Sequence, residues 1–468
     1  MRAALRSLEL LPSDPGLRRF ASANLVNTVG SGLYLTGSAL FFTRVIGLSS
    51  GQVALGLGTA TAVGLALMVV CGRLADRIGA KPVYLALLLL QATAMTGYVF
   101  VDDFTGFMIV AVISGVADRG IAGTVGALVH VVAPPAERLT ARAQLRTATN
   151  VGLGCGTLLA GIALSVGTPT AYRTLILANA LLFLVAAALI SRVPARAPRK
   201  ADGSGGGAPA TPAPRPLRDR GYLAVTAANG LLSLHVSTLS FALPLWVVTR
   251  TSAPAWSVSL LVLVNTVLVV LLQVRASRSA ATLPAAVRQA RRAGMLLALS
   301  CGFMFLTAHL PVTAVVPVLV LWAVVFTLGE LAQSSSGFYF GFELAPDSAQ
   351  GAYQSVFALG PGIMRSLAPG LLSLVVLDHG SAGWLWLGAL FAVAGVLTAA
   401  CAGRAGRRLT TETTGPTGPT GTAGTAGTAV ATAPTETAEP MEPTKPTKPA
   451  DPADAVVAKT TAAAGSAK

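Results

Sequence analysis

The sequence predicts an all-α membrane protein: twelve transmembrane helices in two pseudo-symmetric six-helix bundles. Three observations predict it. Hydrophobic residues make up 53% of the 468-residue chain and charged residues only 11%, less than half the ~25% usual in soluble domains. The apolar residues fall in a dozen runs of about 18 to 27 residues, enough to cross a bilayer as helices. A Pro- and Gly-rich stretch then divides the runs six and six.

The runs follow in order. The first, 20–43, comes after a mixed, basic stretch that resembles no cleavable leader, and the second, 53–71, ends at a loop of Gly, Arg and Asp. The third and fourth, 82–101 and 106–132, are joined by the short Val101-Asp102-Asp103-Phe104 turn, which forces antiparallel neighbours. The fifth, 147–166, is rich in Gly, and the sixth, 174–191, has no ionisable residue in its interior. The second half holds 222–248, 256–274, 293–310, 312–337, 352–377 and 383–402, the last two separated by a turn around Asp378-His379. Within 352–377, Pro361 and Pro369 predict kinks and freed carbonyls.

These runs set the domains: a bundle over 1–192, a linker over 193–220, a bundle over 221–403 and a tail over 404–468. The linker holds six Pro and the run Gly203-Ser204-Gly205-Gly206-Gly207, a flexible composition. The tail is a low-complexity stretch of Thr, Ala, Pro and Gly, read as disordered.

The net charge of +15 invites a nucleic-acid reading, but its distribution excludes one. Of the cationic residues only Arg44, Arg173 and Arg250 fall in the loops of one side, and Arg119 and Arg365 lie inside spans. The rest flank the spans on the other side, the asymmetry that places both termini in the cytoplasm. Arg outnumbers Lys 28 to 6, which reads as a high-GC bacterial genome and so a bacterial plasma membrane. Cys71, Cys155, Cys301 and Cys401 are scattered singly, with neither disulfide nor metal-ligand spacing. No Lys follows a Gly and no H-E-x-x-H occurs, so neither the phosphate loop of an ATPase nor a zinc protease site is present. No metal, cofactor or enzymatic activity is expected.

Polar residues concentrate in certain spans. The fourth carries Asp118 and Arg119, the tenth Glu330, the eleventh Arg365, the seventh His235 and the first Asn24 and Asn27. A charge at mid-span costs about 2.5–3.5 kcal/mol, so these groups should face a wet cavity or one another. Asp118 and Arg119 point about 100° apart on a helix, which predicts that they do not pair with each other. Asp118 and Glu330 are the candidate proton carriers, with static charge pairs as the competing reading. Arg365 is expected to pair with Glu330 on the adjacent span. Glu330, Gln333, Ser334 and Gly337 share one helical face, and around His235 the positions Asn229, Ser233, Ser237 and Ser240 recur at three- and four-residue spacing. With Asn24, Asn27 and Tyr34 they are candidates to line the cavity. His235 reads more readily as a packing residue than as a coupling site, and Trp246 either lines an aromatic pocket or anchors at the interface.

The stretch Gly72-Arg73-Leu74-Ala75-Asp76-Arg77-Ile78-Gly79-Ala80-Lys81-Pro82 resembles the signature of the major facilitator superfamily, G-x-L-A-D-R-x-G-R-K, with Ala80 in place of the last Arg. The resemblance covers about residues 18–403. It implies two six-helix bundles built from inverted repeats around a central cavity, working by alternating access. It implies that Gly72, Asp76, Arg77 and Gly79 form a conformational latch, against the plainer reading of a topology anchor. The fifth span, with Gly152, Gly156 and Gly161, resembles a weakened form of the glycine motif of proton-coupled antiporters, with Thr157 where that motif has Pro. Close helix crossing explains the same spacing. The resemblance implies a secondary transporter that exports a small lipophilic compound, cations included, in exchange for protons. An uptake carrier for a sugar or other metabolite, and a non-transporting scaffold or sensor with the same fold, are the alternatives. The expected partners are a small-molecule substrate, protons and the lipid bilayer.

Overall fold

The computed structural model describes residues 12, 14–194, 215–254 and 256–413. The glycine run of the linker and the tail from residue 414 lie outside them, as does the second of two compact units, Pro416–Lys468; the first is Met1–Gly415.

Among the described residues of the first unit, twelve long helices build the fold. They are α1 (Pro15–Leu40, continued by a π turn over Phe41–Val45), α2 (Ser50–Ile78), α3 (Ala80–Tyr98), α4 (Phe104–Val132), α5 (Arg138–Val166) and α6 (Pro169–Ser191). Then come α7 (Arg220–Arg250, interrupted after Leu232 and by a π turn at Thr238–Ala242), α8 (Trp256–Arg278), α9 (Leu283–Thr307), α10 (Val312–Glu343), α11 (Gln350–Leu372, with a π turn over Ser373–Leu377) and α12 (Ser381–Thr413). Among the described residues, ten are long and apolar enough to cross a membrane. The other two, α3 and α9, carry Lys81 and Gln91 or Arg288, Arg291 and Arg292, and each packs between two helices of its own bundle.

Local chemistry sets the helix starts. Asp14, Asp103 and Asp219 accept the N–H groups of Leu17, Gly106 and Tyr222 at 2.8, 2.9 and 3.0 Å, and Ser49 with Gln52 closes a capping box on α2. Pro15 and Pro169 sit in the first turns of α1 and α6, where a missing N–H costs nothing.

The packing repeats with a shift of six helices. In the first bundle α1 lies on α5 and α6, α2 on α4, and α3 on α4 and α6; in the second α7 lies on α11 and α12, α8 on α10, and α9 on α10 and α12. The close crossings repeat too. A Cβ on Gly32 would strike the backbone of Leu153 and Gly156, and a Cβ on Gly230 that of Gly360. Each bundle has its own apolar core, with Phe42, Tyr98 and Phe107 in the first and Trp246, Trp322 and Trp384 in the second. Trp246 is fully buried and donates to Thr307 at 3.1 Å, so it lines no pocket.

Several boundaries differ from the sequence reading; α9, for one, begins at Leu283, ten residues before its apolar run. Helix α2 runs through the signature to Ile78, so Gly72 and Asp76 stand on a helix and only Gly79, at φ 103°, makes the turn. Helix α5 begins at Arg138, nine residues before the apolar run, and carries Arg142 and Arg146 inside the bundle. Helix α12 continues to Thr413, past the expected start of the tail.

Candidate functional site

The two bundles meet along α2–α11 and α4–α11 on one side and α5–α8 and α5–α10 on the other. Chain direction gives the interface two ends. The linker end carries the start of α1 and the end of α12; the opposite end carries the α1–α2, α3–α4 and α11–α12 turns.

At the linker end the bundles are closed on each other. Asp76, on the last turn of α2, accepts the backbone N–H of Gly351 at 2.6 Å and of Ala352 at 2.8 Å, the first free donors of α11. A carboxylate is favoured there because helix N-terminal N–H groups lack partners and carry partial positive charge. Gly72, one turn back, lets the α11 backbone approach; a Cβ there would strike Gly351 and Ser355. One turn further in, the Ser355 hydroxyl donates to Gly123 of α4 at 3.3 Å. Across the interface, Asp347 at the start of α11 lies 3.5 Å from His130 of α4 and 4.0 Å from Arg138 of α5. Arg142 stands 5.8 Å over the ring of Phe338 on α10. A cleft of about 670 Å³ lined by Arg73, Asp76, Arg77 and Arg218 opens on this end.

Midway along, the interface holds an ion pair. The Arg146 guanidinium of α5 donates to Glu330 of α10 at 2.6 Å, and the second Glu330 oxygen accepts from Asn265 of α8 at 2.8 Å. Glu330 is buried, its side chain 8% exposed against 24% for Arg146. His235 of α7 is buried within electrostatic reach of Glu330, its Nδ1 2.8 Å from the Leu232 carbonyl.

Beyond that pair the bundles part. On the outer half of α5, Thr157, Leu158, Leu159, Gly161 and Ile162 are exposed around most of the helix, and only the face toward α1 is covered. The outer half of α11 is exposed from Ile363 to Gly370 except at Met364 and Ala368. This exposure leaves room for a vestibule between α5 and α11 at the end opposite the linker. Asp118 and Arg119 from α4 and Arg365 from α11 stand at its floor; Arg365 is exposed and within electrostatic reach of Asp118, Arg119 and Arg146.

The structure corrects two expected pairings. Arg365 does not pair with Glu330, because α5 delivers Arg146 to that carboxylate while Arg365 points toward α4. Asp118 and Arg119 do meet, Arg119 Nε lying 3.5 Å from Asp118. A long arginine folds back along the helix and bridges the angle between adjacent Cβ atoms.

Several cavity candidates are spent on packing. Asn24 bonds Leu145 and Thr149 of α5 at 3.0 and 2.9 Å. Gln333 donates to Asn229 at 2.9 Å and Gln273 to Ser334 at 3.2 Å, ties that join α10 to α7 and α8. Ser233 bonds the Gly230 carbonyl at 2.6 Å. Asn27 is buried with its side-chain oxygen unpartnered, and Tyr34 stacks on Tyr98 with centroids 6.3 Å apart. Gly152 and Gly156 abut α1, whereas Gly161 faces open space.

The sequence reading missed Arg142 and Arg146. Their signal is a four-residue repeat: Arg138, Arg142 and Arg146 fall on one helical stripe.

Comparison with known proteins agrees with this architecture. The family model of the Major Facilitator Superfamily matches residues 20–369. Among solved structures the chain is similar to a bacterial homologue of the iron transporter ferroportin in its outward-facing state, at 16% identity and TM-score 0.65 over 84% of this chain and 100% of that one. It is similar to FucP, a major facilitator transporter in the outward conformation, at 15% identity and TM-score 0.62 over 82% and 97%. It is also similar to the human organic anion transporter MFSD10, at 18% identity and TM-score 0.59 over 82% and 100%. No curated protein matches the sequence. A family match spanning most of the chain, on two six-helix bundles related by a six-helix shift, leads to one conclusion: this chain belongs to the major facilitator superfamily.

Proposed function

We propose that this protein is a secondary active transporter that works by alternating access and exports a small organic compound in exchange for protons. The Arg146–Glu330 ion pair carries the reading. It joins the bundles where the closed half of the interface meets the open half. A proton on Glu330 neutralises the carboxylate, removes the attraction and leaves Arg146 half-buried without its counter-charge, so the closed arrangement loses stability. Protonation at this position thus biases which end of the interface opens, and the proton gradient supplies about 2.3 kcal/mol per charge per 100 mV in its electrical part. Asp118, exposed at the vestibule floor, is the second proton carrier.

The distribution of basic residues puts the linker end and both termini in the cytoplasm. Arg44 and Arg250 sit at the opposite end, bonded to the Tyr172 hydroxyl and the Leu377 carbonyl at 3.4 and 3.3 Å. On that assignment the vestibule opens outward, and Asp76 of α2, bound to the start of α11, is the cytoplasmic latch of this state. A sugar site would want free amides in the cavity; Asn229, Gln333 and Gln273 are instead bonded to each other or to Ser334.

The test uses proteoliposomes with an imposed pH gradient and a ligand found by thermal stabilisation of the purified protein. Glu330→Gln should abolish gradient-driven accumulation while retaining exchange at equal pH, and Asp118→Asn should weaken it. If both variants accumulate ligand as the wild type does, the coupling assignment is wrong.

A further inference from the structure

The vestibule floor carries an unbalanced charge. Arg146 is taken by Glu330 at 2.6 Å and Arg119 is held by Asp118 at 3.5 Å. Arg365 remains. Among the described residues it has neither an ion-pair nor a hydrogen-bond partner, and its charged neighbours across the gap are two further guanidinium groups, Arg119 and Arg146, and one carboxylate, Asp118, which already faces Arg119. Its position is fixed by what surrounds it on α11. Two to three turns below, Gln354 packs on Gly126 and Ser355 bonds Gly123, both on α4; one turn below, Gly362 packs on Leu65 of α2. The α11 face that bears Arg365 therefore looks into the first bundle and away from lipid. A lone guanidinium at mid-depth costs about 2.5–3.5 kcal/mol, a penalty that a counter-ion or a wet site must offset. Its planar fork of N–H donors matches a carboxylate, sulfonate or phosphate oxygen pair.

From this geometry we propose that the transported compound is an organic anion whose charged group docks on Arg365, with Arg119 beside it. The proposal rests on the transporter reading above and names its substrate class, narrowing the small lipophilic compound expected from the sequence to an anionic one. Asp118 repels a second negative charge, so a monoanion is preferred. A monoanion leaving a cell that is negative inside runs down the electrical gradient, which agrees with export.

Purified protein is titrated with 1-naphthoate and 1-naphthalenesulfonate, and with 1-naphthylmethyltrimethylammonium, which carries the same ring system and the opposite charge. Binding is read by thermal shift and by calorimetry. The anions should stabilise the wild type and the cation should not. Arg365→Ala and Arg365→Gln should weaken anion binding at least about tenfold, the loss of one charge-assisted hydrogen bond, and Arg365→Lys should recover part of it. Equal or tighter binding of the cation, unchanged anion binding in Arg365→Ala, or no binding of either anion overturns the proposal. A parallel readout separates this failure from failure of the transporter reading. Ser355 is buried under the linker-end closure, so with the four native cysteines replaced, Cys155 among them being exposed, a Ser355→Cys variant should react slowly but measurably with maleimide as that end opens. Reactivity without anion binding sinks only the anion assignment. No reactivity under any condition sinks alternating access and the anion assignment with it.

Discussion

Arg146 and Glu330 depend on each other. Glu330 is buried with two of its acceptor sites filled, by Arg146 and Asn265. Removing one member of such a pair costs about 3–5 kcal/mol, because the other is left as an uncompensated buried charge. Arg146 is partly exposed, so the lower figure applies. Arg146→Ala should therefore lower the melting temperature of the purified protein more than Arg146→Met combined with Glu330→Leu, which removes both charges and keeps the volume. A single variant as stable as the wild type would show that the pair is solvated. These partners were not legible in the sequence for a geometric reason. Adjacent spans suggest adjacent side chains, which is why Arg365 was matched to Glu330. Residues facing the other bundle find partners far along the chain, here 184 positions away.

The helices show where periodicity reads well and where it fails. Apolar length located all twelve, since a span must satisfy its backbone internally over about 20 residues. It misplaced the start of α5, because Arg138, Arg142 and Arg146 look like a loop to a hydropathy count and like a stripe to a helix. The crossing of α1 on α5 is a helix-level constraint. A Cβ on Gly156 would meet the Val29 carbonyl and Gly32, while one on Gly161 meets nothing within 4 Å. Gly156→Val should therefore reduce the yield of monodisperse protein severalfold in size-exclusion chromatography, and Gly161→Ala should leave it unchanged. A tolerated Gly156→Val would mean that the two helices can separate. On α2, Asp76→Ala removes both acceptors of the α11 N-terminus. It should raise the labelling rate of a Ser355→Cys reporter, whereas Asp76→Glu should raise it less. Equal rates in all three backgrounds would reduce Asp76 to a topology anchor.

The closed linker end and the open opposite end belong to the whole two-bundle assembly. A carrier must leave this arrangement, so tying the bundles together at the closed end should stop it. Gly123 and Ser355 are suited to a cross-link. A Cβ at Gly123 would lie 3.0 Å from the Ser355 hydroxyl oxygen, the atom that a cysteine sulfur would replace. With the four native cysteines replaced, Gly123→Cys plus Ser355→Cys should lose transport on oxidation and regain it with reductant. Transport that survives complete cross-linking would show that these ends do not part.

The amino-acid sequence alone determined the membrane setting, the helix count, the division six and six and the family signature. Each follows from composition or from spacing along one helix, and neither needs knowledge of which helices touch. The tertiary structure alone decided which charges are spent and which are free. Asp76 is satisfied by a helix start 275 residues away and Glu330 by an arginine that hydropathy sets in a loop, while Arg365 has no hydrogen-bond or ion-pair partner among the described residues and only the Asp118 carboxylate within electrostatic reach. The physical reason is that the energy of a charge in a low-dielectric interior is set by its neighbours within a few ångströms, and here those neighbours come from the other bundle.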